Sequence, residues 1–160
     1  MKVLTVVVAL LAFPSVLFGV IDFNGNGVSE ICELQYKGTV ADDFDSDKDG
    51  SSNLAEGIAG TDPRDPESVL ALEHPVLDGP EVRFSWAAEA GKSYRLERWD
   101  PAANGWSEAA SILPLSISAI QTVTLDRLDG GVFRLVSADV DMDGDGLSAW
   151  EEILIGTSDE

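Results

Sequence analysis

The chain has 160 residues, with 29 acidic against 10 basic side chains and a formal net charge of −19. A surface of that sign repels nucleic acid and anionic lipid and attracts divalent cations, so nucleic acid is excluded as a partner. One cysteine, Cys32, permits neither an internal disulfide nor a Cys-based zinc site.

Residues 1–20 read as an export signal. Lys2 supplies a positive start, a largely apolar run follows from Val3 to Phe13, and Gly19 is small enough to end the removed segment. The run is short for a membrane span. The expectation is a secreted or cell-surface protein with no stable membrane span once the signal is removed.

Residues 21–66 are acidic and turn-rich and carry two copies of one pattern, D-x-[DN]-x-[DN]-G-x₅-E. The first copy places Asp22, Asn24, Asn26, Val28 and Glu33 at positions 1, 3, 5, 7 and 12. The second places Asp45, Asp47, Asp49, Ser51 and Glu56 there. A short helix is expected after each loop, capped by Ser29 and Ser52. Ile31 with Leu34, and Leu54 with Ile58, would form the apolar faces. Gly38 and Gly60 suit the helix ends, and Pro63 stops the second helix.

Residues 67–137 alternate apolar and polar side chains, as in Val82-Arg83-Phe84-Ser85-Trp86, Tyr94 to Glu97, Thr122 to Leu125 and Val132 to Val136. This period of two predicts strands, separated by turns at 89–92, 101–105 and 129–131. Five or six strands at this spacing predict a small antiparallel β-sandwich-like module. Phe84, Trp86, Trp99, Trp106 and Phe133 are its expected core, with an aromatic sugar-binding platform as the other use for such residues.

Residues 138–160 return to the loop pattern. Asp141, Asp143, Asp145, Leu147 and Glu152 occupy positions 1, 3, 5, 7 and 12. Ser148 with Glu151 forms the S-x-x-E capping box, Trp150 and Leu154 share a helical face, and Gly156 suits the helix end. The fold class is therefore mixed: a β-sandwich-like module flanked by loop–helix units, each half of an EF-hand.

The spacing suits one chemistry. Ca²⁺ takes six to eight hard oxygen ligands at about 2.3–2.6 Å. Short Asp or Asn side chains at positions 1, 3 and 5 converge as the loop winds, and Gly at position 6 turns it sharply. Position 7 offers a carbonyl, and Glu at position 12 a bidentate carboxylate. Without the ion the carboxylates repel one another. The two Asn of the first loop lower its ligand charge, which predicts weaker binding there. Ala149 at position 9 of the third loop has no ligand atom, so water would serve. Serine at position 8 in every copy, and no helix before Asp22 or Asp45, argue against a switch of the groove-opening kind.

The stretches from Asp45 to Pro66 (D-S-D-K-D-G-S-S-N-L-A-E-G-I-A-G-T-D-P-R-D-P) and from Asp141 to Ser158, with Asp22 to Tyr36, resemble bacterial thrombospondin type 3-like calcium repeats. The resemblance implies an exported structural or spacer protein stiffened by Ca²⁺. The run from Phe84 to Glu97 is similar to small sandwich modules found beside such repeats. Tandem loop–helix repeats also resemble dockerins, although those usually end the loop with Asp. A dockerin-like or carbohydrate- or protein-binding adhesion module is therefore the alternative, with cell-surface proteins or glycans as partners. An enzyme is not expected. The single histidine, His74, has no visible partner, and neither a phosphate-binding Gly-rich loop nor a G-x-S-x-G motif is present.

Overall fold

The computed structural model describes residues 21–25, 28–37, 44–126 and 131–157. The expected signal at 1–20, Asn26 of the first loop and Gly38 lie outside the described residues. Helix α1 spans Glu30–Gln35 and α2 Asn53–Ala59. Strands β1 (Val76–Asp78), β2 (Glu81–Ala88), β3 (Lys92–Asp100), β4 (Gly105–Ile112), β5 (Ala119–Asp126) and β6 (Phe133–Asp139) follow, then helix α3 (Ala149–Ile155).

The strands form two three-stranded antiparallel sheets, ordered β1-β2-β5 and β4-β3-β6. Strict alternation of burial along β2 sends Val82, Phe84, Trp86 and Ala88 inward. They meet Tyr94 and Leu96 of β3 and Phe133 and Leu135 of β6 in one core. The Phe84 and Phe133 rings lie 4.6 Å apart between centroids, and Trp86 and Tyr94 5.9 Å apart, so aromatic pairs join the sheets. The segment after α2 adds Leu70 and Leu72 to this core. Fully burying such side chains contributes about 1.5–3 kcal/mol each.

The sequence placed Trp99 and Trp106 in the core, and the structure corrects this. Along β3 the register against β6 is continuous, so Trp99 shares a face with Arg95 and Glu97, opposite Tyr94 and Leu96. Trp106 is paired with Trp99 in register and meets it edge-on, with centroids 5.5 Å apart. Both are half-buried. On the same face Arg134 Nη2 lies 2.6 Å from Glu97 Oε2, and the guanidinium stands 4.3 Å from the Trp106 ring centroid.

A second, smaller cluster gathers the loop–helix units. Val28 and Cys32 from the first, Leu54 from α2, and Trp150 and Leu154 from α3 pack together. The buried side of α1 carries Cys32, with Val28 and Tyr36 one turn to either side, while Leu34 is 78% exposed. The expected Ile31–Leu34 face is therefore not the one that packs. Glu151, fully buried, ties the units together. Its Oε2 accepts from Ser148 N–H at 2.7 Å, completing the capping box, and its Oε1 accepts from Ser29 Oγ–H.

The third unit meets the sheets at Lys92, whose side chain is 0% exposed. Lys92 Nζ lies 2.7 Å from Asp139 Oδ1 and 4.0 Å from the Trp150 ring centroid. At the β2–β3 turn the backbone of α3 comes so close that a Cβ on Gly91 (φ +77°) would sit 2.4 Å from Trp150 Cα. Only glycine fits there. Among the described residues no helix is long and apolar enough to cross a membrane.

Candidate metal centre

The described residues of the three loops share two hydrogen bonds. The N–H at position 9 donates to the carbonyl just before position 1 in each: Glu30 to Ile21 at 2.8 Å, Asn53 to Phe44 at 2.8 Å, Ala149 to Val140 at 2.9 Å. This bond closes the loop. The N–H at position 4 donates to Oδ1 of the first Asp: Gly25 to Asp22 at 2.7 Å, Lys48 to Asp45 at 2.6 Å, Gly144 to Asp141 at 2.6 Å.

The second and third loops agree further. Gly50 and Gly146 both adopt φ +102°, and their N–H groups donate to Oδ2 of Asp45 and Asp141, each at 3.1 Å. A Cβ would be penalised at that φ. Asp49 N–H donates to Asp47 Oδ1 at 3.2 Å, and Asp145 N–H to Asp143 Oδ1 at 3.0 Å. Ser51 and Leu147 donate to Asp49 and Asp145 at 2.6 and 2.8 Å. Backbone donors thus hold Asp47, Asp49, Asp143 and Asp145 through one oxygen each, and Asp45 and Asp141 through both. Asp47 Oδ2 and Asp49 Oδ2 are buried without a hydrogen-bond partner.

In the second and third loops the Asp carboxylates come together. One oxygen each from Asp45, Asp47 and Asp49 lie within 4.8 Å of one another, and the same holds for Asp141, Asp143 and Asp145. Position 12 falls one turn into the helix in all three units. Glu33, Glu56 and Glu152 donate their N–H to the carbonyls of the capping Ser29, Ser52 and Ser148 at 3.0, 2.9 and 2.9 Å. The helix ends also match, since Gly60 and Gly156 take left-handed conformations.

Glu56 is 1% exposed, and neither of its carboxylate oxygens has a hydrogen-bond partner. Burial pushes its carboxyl up to about 8, helped by the charges of Asp47, Asp49, Asp45 and Asp62. An acid so placed is held there at a cost that a cation would remove. Glu152 is equally enclosed, at 2% exposure. Asn53, at position 9 of the second loop, accepts from Ser46 N–H at 3.2 Å, which holds the loop rather than offering a free ligand.

The first loop is different. It contains one Asp, and its Asn24 Nδ2–H donates to Glu33 Oε1 at 3.0 Å. Glu30 accepts from Phe23 N–H through both oxygens at 2.8 Å. Val28, at position 7, is buried at 2% exposure, whereas Ser51 and Leu147 are half-buried. Among the described residues the first loop brings no carboxylate triplet together.

The donor set of the second and third loops is all oxygen, which suits a hard cation such as Ca²⁺, Mg²⁺ or Mn²⁺. Mg²⁺ demands a rigid octahedron and keeps its waters, whereas a winding loop with many carboxylates suits the larger, less directional Ca²⁺. Sequence reasoning missed the residues that hold these loops in place: Lys92, Asp139, and the bridging role of Glu151. Nothing in the local pattern marks them, because each acts across the fold. No family model matches the chain, and no match is found among curated proteins or solved structures.

Proposed function

We propose that this chain binds Ca²⁺ in its Asp-rich loops, and that the bound ions brace an exported β-rich module whose role is structural rather than catalytic. The second loop would ligate through Asp45, Asp47, Asp49, the Ser51 carbonyl and Glu56. The third would use Asp141, Asp143, Asp145, the Leu147 carbonyl and Glu152. The first, with Asp22, Asn24, Asn26, Val28 and Glu33, would be the weakest. The observation that carries the reading is Glu56, enclosed, with both oxygens unpartnered, beside three Asp whose oxygens share one focus. The resemblance to thrombospondin type 3-like repeats points the same way, and the leader-like residues 1–20 support export.

Isothermal titration of the full chain with CaCl₂ tests this. Binding at roughly 10⁻⁴–10⁻³ M is the expected result for an extracellular module. An absence of heat up to about 10 mM Ca²⁺ would overturn the reading. The alternative, an adhesion module, is favoured by Trp99 and Trp106, which stand outside the core. A glycan or protein pulled down equally well by a chain lacking both Asp triplets would favour it.

A further inference from the structure

The two Asp triplets lie 96 positions apart in sequence (Asp45 and Asp141), yet their helices meet at one side chain. Leu54 and Trp150 occupy position 10 of their loops, two residues before Glu56 and Glu152, and both join the small cluster that also holds Val28 and Cys32. The end of α2 presses on the same indole, since a Cβ on Gly60 would lie 2.9 Å from Trp150 Nε1 and 3.0 Å from Lys92 Cε. Gly60 N–H in turn donates to the Glu56 carbonyl at 2.7 Å. A short route therefore runs from the Glu56 carbonyl through the α2 cap at Gly60 to Trp150, which stands two residues before Glu152 on α3.

We propose that the second and third loops bind calcium with positive cooperativity, with Trp150 as the positioning residue that couples them. This rests on the calcium reading above. An ion in the second loop draws Glu56 toward the Asp triplet and fixes α2 on its loop. That sets Gly60 against the indole and holds α3 with Glu152 in place for the third loop. The first ion to bind orders the shared cluster, and the second finds it ordered. Linkage requires the effect to be equal in both directions.

The test is a Ca²⁺ titration of the full chain followed by ¹H–¹⁵N NMR, reading the Gly50 amide for the second loop and the Gly146 amide for the third. Asp143→Asn with Asp145→Asn disables the third loop at exposed positions. It is expected to raise the half-saturation of Gly50 by about tenfold, within the usual range of coupling between sites. Asp47→Asn with Asp49→Asn should raise that of Gly146 by the same factor. Trp150→Leu, or the milder Trp150→Phe, should leave both amides responsive and bring the two factors close to one. Midpoints that shift less than twofold in the Asp variants overturn the coupling and leave calcium binding intact. Factors that persist in both Trp150 variants overturn the route. Amides that never move at millimolar Ca²⁺ overturn the coupling together with the calcium reading.

Discussion

Lys92→Met offers the sharpest test of the buried cation where β3, β6 and α3 meet. The substitution keeps most of the apolar stem against Trp150 and removes the charge. Asp139, whose side chain is 12% exposed, then loses the cation 2.7 Å away. Stranding one member of a buried pair costs about 3–5 kcal/mol. Losing the ammonium over the Trp150 ring adds about 0.5–2 kcal/mol. With a urea slope of about 2 kcal/mol per molar, a loss near 4 kcal/mol lowers the denaturation midpoint by roughly 2 M. The assay is urea unfolding followed by circular dichroism, with a chelator present so that calcium plays no part. Lys92→Met with Asp139→Asn removes the stranded charge and should recover about 2 kcal/mol of the loss, giving a coupling well outside the error of additivity. A midpoint shift below about 0.5 M for Lys92→Met, or strict additivity in the double variant, would refute the reasoning.

Glu56 makes the calcium-free protein sensitive to pH. Its folded value of about 8 lies above the ordinary 4.5, so between those values the folded chain holds a proton that the unfolded chain releases. The stability contribution is therefore full below about 4.5 and is lost as pH rises toward 8, at up to about 1.4 kcal/mol per pH unit. Glu56→Gln should flatten this slope in chelator, as read by thermal unfolding at several pH values, and should abolish calcium binding at the second loop. Cys32 is 1% exposed, and burial raises its thiol to about 12, so Ellman's reagent should react only after denaturation. Rapid labelling of the native chain would contradict the packing of α1. Gly91→Ala should cost about 2–5 kcal/mol, from the left-handed backbone and the collision with α3. A variant of unchanged melting temperature would show that α3 does not approach the turn so closely.

Local chemistry made much of this fold legible. Each loop obeys its own residues: Asp at position 1 accepts from position 4, and Ser at position 8 caps the helix. None of that needs knowledge of the rest of the chain. The strands were legible for the same reason, from alternation along Val82 to Ala88. Trp99 was misplaced because its size was weighed above its parity. Counting in twos from Tyr94 and Leu96 puts it on the opposite face, with Arg95 and Glu97. The side of α1 that packs was illegible because its partners, Leu54 and Trp150, come from far along the chain. The same holds for Lys92, which reads as an ordinary surface lysine until Asp139 and Trp150 close over it.

The meeting of α1 with α3 has a mechanical corollary. Residues 28–36 and 149–155 lie on opposite sides of the β-strands in sequence but touch in space, so the chain forms a closed circuit. Tension entering from the two flanks would load the Ser29–Glu151 clasp together with the contact of Lys92 on Trp150. Those two fastenings, one to α1 and one to β3, would share the load.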